Sequence, residues 1–133
     1  MKILFDHNLP RRLREHLPGH EIRTTREMKW EQLRNGALIS IASGAGFEVF
    51  VTIDKQIEHQ QNLAALLLAV VVVDAKSNAL PALLPFTPSL HGLFASSLER
   101  ALYVVEEGGN VLRLTEPRSR CRLDKELGKD RQI

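Results

Sequence analysis

The segment Lys2-Ile3-Leu4-Phe5-Asp6-His7-Asn8-Leu9-Pro10 reads as a buried strand, Lys2 to Phe5, that ends on a carboxylate and turns into a helix. An unbroken apolar run suits a strand covered on both faces, as in a parallel sheet. The pattern recurs at Phe47-Glu48-Val49-Phe50-Val51-Thr52-Ile53, which runs into Asp54-Lys55. Each segment puts an Asp at the carboxyl end of a strand with a helix to follow. In an open α/β sheet ligands bind at that rim. Two carboxylates meeting there point to a hard cation held by oxygen ligands.

Outward from these segments, Leu9, Leu13 and Leu17 fall at helical spacing, and Pro18-Gly19 stops that helix. Glu21 to Thr25 reads as a second strand. Residues 26–34 read as loop or irregular helix, with Trp30 and Leu33 turned inward. Asn35-Gly36 opens a helix carrying Leu38, Ile39, Ala42 and Ala45 on one face, and Gly44 and Gly46 end it. Lys55 to Leu66 predicts a short helix, and the Val-rich stretch Leu68 to Val73 a fourth strand. Asn78 to Leu84 predicts another short helix. Leu90, Leu93, Phe94, Leu98, Ala101, Leu102 and Val105 form an apolar stripe that predicts an amphipathic helix over 90–106. Gly108-Gly109-Asn110 turns the chain into an edge strand, Val111 to Thr115. Strands alternating with helices give an α/β fold, a three-layer α/β/α sandwich with a small, mainly parallel sheet. The order of the strands cannot be read from periodicity.

The 133 residues suit one domain over 1–115 followed by a basic, flexible tail over 116–133. The net charge of +2 comes from that tail, which holds six Lys/Arg against four Asp/Glu. A local basic cluster precedes the second Asp: Arg11, Arg12, Arg14, Arg23, Arg26, Lys29 and Arg34. The longest apolar run, Leu63 to Val73, is far shorter than the roughly 20 residues of a membrane span. The single Cys121 excludes an internal disulfide and a cysteine zinc cluster. No secretory leader is evident, and a cytoplasmic protein is expected.

Asp6 is the leading candidate for chemistry, because a carboxylate ending a buried strand costs free energy unless paired, capped or metal-bound. Asp54 alone could be a turn starter or an ion-pair partner of Lys55; only with Asp6 at an equivalent strand end does it point to chemistry. Asp74 also ends a strand, where Asp commonly starts a turn. Asn8 and Asn35 read first as helix caps and second as neutral ligands to a metal or its water. His7 and His59 lie near the acidic strand ends in sequence. Gln60 or Gln61 could hydrogen-bond a substrate near Asp54. No glycine-rich phosphate loop accompanies these residues, which argues against a nucleotide cofactor.

Taken together, Ile3 to Pro10, Pro18-Gly19-His20-Glu21, Arg26 to Trp30, Asn35-Gly36 and Thr52-Ile53-Asp54-Lys55 through Gln60-Gln61-Asn62-Leu63 resemble the DUF5615 PIN-like domain family. That family is related to PIN-domain toxin ribonucleases of bacterial toxin–antitoxin loci and to the Mut7-C domain. The resemblance implies a metal-dependent ribonuclease, with Mg²⁺ or Mn²⁺ held at Asp6 and Asp54 and helped by Asn8 and Asn35. It implies phosphate contacts from Arg11, Arg12 and Lys55, and a substrate contact from Gln60. RNA, a small antitoxin and a second copy of the chain are the implied partners, the antitoxin docking on the 90–106 helix or the tail. Two positions depart from the family pattern: Asn35 and Gln56 stand where related chains often carry acids. Glu58, Asp74 or Asn8 would then have to complete the cage. The alternative is a catalytically degenerate module that binds RNA or protein.

Overall fold

A computed structural model describes residues 1–115; the basic tail lies outside the described residues. Strands β1 (Lys2–Phe5), β2 (Glu21–Thr24), β3 (Val49–Thr52), β4 (Ala69–Val73), β5 (Leu102–Val105) and β6 (Val111–Leu114) form one sheet in the order β2-β1-β3-β4-β5-β6. The first five are parallel and β6 pairs antiparallel with β5. Helices α1 (Asn35–Gly44), α2 (Ile57–Gln60), α3 (Leu80–Leu83) and α4 (Thr87–Ala95) cover both faces, giving an α/β fold compatible with a three-layer sandwich.

Alternation along the central strands divides the core in two. Ile3, Phe5, Val49, Val51, Val71 and Val73 face a layer containing Leu13, Leu83, Leu90 and Phe94. Leu4, Phe50, Val70 and Val72 face the other, containing Leu38, Ile39, Ala42 and Ile57. Every residue of β3, β4 and β5 is buried, which is why these strands read as continuous apolar runs.

The connections fix where a ligand can sit. From β1 the chain steps one way to β2, passing over the first face, then crosses back over the second face to β3 and on to β4. The carboxyl ends of β1 and β3 therefore flank the topological switch point of the sheet, the crevice where open α/β sheets bind ligands. The crossover from β4 to β5 steps in the same direction as the one before it but over the opposite face. It has the opposite hand to the other three, against a preference that holds in about 98% of such connections.

Several predicted elements are corrected. The helix expected over 90–106 ends at Ala95, and Leu102 to Val105 is strand β5. Ser96 is extended, and its amide and hydroxyl both donate to Leu93 O, closing the helix there. An antitoxin site on such a helix loses its scaffold. The segment after Pro10 is a 3₁₀ helix, Arg11–His16, although Leu9, Leu13 and Leu17 are buried as expected. The helix expected over 55–66 shrinks to α2. Residues 24–30 form a single capped turn. Thr24 Oγ1 accepts from Glu27 N while Glu27 Oε1 accepts from Thr24 N, the reciprocal pairing of a capping box. Lys29, at φ 62°, closes the turn as Trp30 N donates to Thr25 O and Lys29 N to Arg26 O.

His20 joins the β2 approach to α4. Its ring meets Phe94 edge-on at 5.5 Å, and its Nδ1 is buried with no hydrogen-bond partner. Burial, then the positive amino terminus, then His91 lower its pKa from the ordinary 6.5. A group with a lowered folded pKa stabilises the fold above its unfolded value and loses that contribution as pH falls through the folded one. The urea midpoint is therefore expected to drop between pH 7.5 and 5.5. In His20→Phe, which keeps the ring contact and removes the proton site, the drop should shrink; an unchanged drop would clear His20 of the effect.

Candidate active site at the carboxyl rim of β1 and β3

Asp6 follows directly on β1 and is only 6% exposed. Its amide donates to Val51 O at 2.9 Å, which extends the β1–β3 ladder by one rung. Its carboxylate is held from two sides. Thr52 Oγ1 donates to Oδ2 at 2.7 Å, and His7 N donates to Oδ1 at 2.8 Å. The His7 ring lies beside the same oxygen, Nδ1 to Oδ1 3.1 Å, with its side chain 52% exposed. Asp6 is no helix cap.

Thr52 is the hinge of the site. Its buried hydroxyl gives its proton to Asp6 and accepts from Asp54 N at 3.0 Å. The same hydroxyl thus ties the Asp6 carboxylate to the backbone amide of Asp54. Asp54 Oδ1 accepts from Gln56 N, so Asp54 also starts the turn into α2. Sequence reasoning singled out both acids and missed the threonine between them. The available signal was a polar residue closing a strand that is otherwise entirely apolar.

The remaining predicted residues divide into four groups. Lys55 pairs with Asp74 at 2.6 Å across the ends of β3 and β4 and forms no ion pair with Asp54. Asn35 Nδ2 donates to Gln60 Oε1 at 3.3 Å, so these two meet each other rather than either acid. Glu58 is buried in α2 beside His59. Neither asparagine caps a helix, since Pro10 precedes the 3₁₀ helix and Arg34 precedes α1. Asn8 instead lines an open cavity of about 480 Å³ next to the rim, and its Oδ1 is buried without a partner. Arg11 lines the same cavity, while Arg12 is exposed beside it in sequence. His7, Thr24, Arg26, Glu27 and Asn78 complete its polar lining, and sequence reasoning gave the last four no role at the site.

No family model, no curated protein and no solved structure matches the chain. The residues alone carry the functional reading. Among the described residues no three His, Cys, Asp or Glu side chains group to hold a metal ion. The donors at the switch point do fit a hard cation. Thr52 Oγ1 ties the Asp6 carboxylate to the Asp54 amide, and each carboxylate offers about four lone-pair sites, of which only some are used. Mg²⁺ is commonly bound through one or two carboxylates and keeps several waters. Among the described residues no helix is long and apolar enough to cross a membrane.

Proposed function

We propose that the chain is a metal-dependent ribonuclease, the toxin component of a bacterial toxin–antitoxin pair acting in the cytoplasm. The observation that carries the reading is the buried Asp6 carboxylate, oriented by Thr52 and tied through it to the Asp54 backbone amide at the switch point of the sheet. Asp6 and Asp54 would hold one Mg²⁺ or Mn²⁺. Such an ion, when bound, lowers the pKa of a water and offsets charge on a phosphodiester undergoing hydrolysis. Thr52 and the His7 amide keep the Asp6 oxygens in one orientation, so no side-chain rotation is needed on binding. Arg11 and Arg12, which follow on the same loop and 3₁₀ helix, bring positive charge to the RNA backbone.

Calorimetry with Mn²⁺ on the parent and on Asp6→Asn/Asp54→Asn tests the assignment, together with cleavage of a labelled single-stranded RNA. The expected result is metal binding and metal-dependent cleavage in the parent, both lost in the variant. Absence of binding at millimolar metal, or cleavage that survives Asp6→Asn, would remove Asp6 from its role. RNA bound without metal and left intact would identify a catalytically silent RNA-binding module instead.

A further inference from the structure

The cavity beside Asp6 has features that a two-acid metal site does not use. Its volume of about 480 Å³ lies within the range of small-molecule sites. Three separate stretches of chain build it: the loop after β1, the capped turn after β2, and the loop between β4 and α3, which supplies Asn78. Asp6 itself is not part of the lining, whereas Asn8, two residues later, is.

The charge of the lining is one-sided. Glu27 is its only acid, and that carboxylate is already engaged. Arg14 Nη1 donates to Oε1 at 2.8 Å and Thr24 N to the same oxygen at 3.0 Å. The Arg14 bond, against some desolvation and with help from Thr24 and Arg11, holds the Glu27 carboxyl below its ordinary range. Arg11 and Arg26 have no ion-pair partner among the described residues. Two unpaired guanidinium groups around one cavity suit a phosphate, whose oxygens match their forked donors. A volume of about 480 Å³ is far larger than a phosphate group needs, which leaves room beside the two guanidinium groups for an organic body.

We infer that this cavity binds one nucleoside monophosphate unit, its phosphate between Arg11 and Arg26 and its nucleoside in the remaining volume. The proposal rests on the nucleolytic reading for its substrate class. It needs no metal, which separates its test from the previous one. The unit can come from an RNA strand crossing the rim or from a free nucleotide.

Titrations in EDTA with adenosine 5′-monophosphate, adenosine, inorganic phosphate and a tetra-adenylate decide the matter. The expected result is that the monophosphate binds more tightly than either adenosine or inorganic phosphate. Arg26→Gln and Arg11→Gln should each weaken it about tenfold or more while leaving the urea midpoint and Mn²⁺ binding unchanged, since both side chains are exposed. Tetra-adenylate binding well above the monophosphate assigns the unit to a strand; equal binding assigns it to a free nucleotide. No monophosphate binding at millimolar concentration, binding no tighter than that of phosphate, or indifference to both arginine variants would overturn the proposal.

Discussion

Phe50→Ala is expected to lower the unfolding free energy by about 3–5 kcal/mol. Phe50 lies in β3 with no exposed surface, and its ring belongs to the core layer of Leu4, Leu38, Ile39 and Val70. Neighbours on both flanks are themselves strands, β1 and β4, so the backbone cannot close on the void. The loss is set by the transfer energy of the ring plus the cavity left behind. Against a total stability of about 5–15 kcal/mol for such a domain, the variant would stand near its unfolding midpoint in dilute urea. The control is Leu67→Ala. Leu67 is apolar too, but 46% exposed, and its truncation should change stability by no more than about 0.5 kcal/mol. Urea unfolding of both, with the slope of the transition unchanged, is the measurement. Similar small losses at the two positions would contradict the packing of β3 at the centre of the sheet.

The same contrast between buried and half-buried segments explains what the sequence showed and what it concealed. β1, β3 and β4 are legible because each is a short apolar run bounded by polar residues, and a run too short for a helix has one reading left. The positions of Asp6 and Asp54 follow from those runs. β5 was concealed by the same property. A strand buried on both faces has no period of its own, so Ala101, Leu102 and Val105 fit the spacing set by Leu90, Leu93 and Phe94 in α4. The run Leu102-Tyr103-Val104-Val105, rich in β-branched and aromatic residues, was the contrary signal. Strand order was not legible, because it is decided by which face each crossover covers. The cavity was not legible either. Asn8, Arg26 and Asn78 meet through three loops, and no spacing along the chain brings them into register. Thr24 and Glu27 were the exception, two residues whose spacing carries the capping-box pattern openly, yet they close a turn and no helix follows.

Thr52→Val should cost about 1.5–3 kcal/mol although it changes almost nothing in shape. Valine fills the same space, so no cavity term enters. What is lost is a donor to the buried Asp6 Oδ2 and an acceptor for Asp54 N. A hydrogen bond to an ionised carboxylate is roughly twice as strong as one between neutral groups. The carboxylate is the larger part of the expected loss, and a double-mutant cycle isolates it. In an Asp6→Asn background the same Thr52→Val change should cost about 1 kcal/mol less, because the partner is then neutral. Equal costs in the two backgrounds would mean that the charge of Asp6 adds nothing to its bond with Thr52. The cycle also bears on chemistry. If Asp6 and Asp54 act together on a cation, the Thr52 hydroxyl fixes one Asp6 oxygen and the backbone from which the Asp54 side chain projects. Thr52→Val should then weaken Mn²⁺ binding while both acids remain in place. A variant that loses stability and keeps full metal affinity would break the link between the hydroxyl and the proposed site, and would leave each acid to be tested separately.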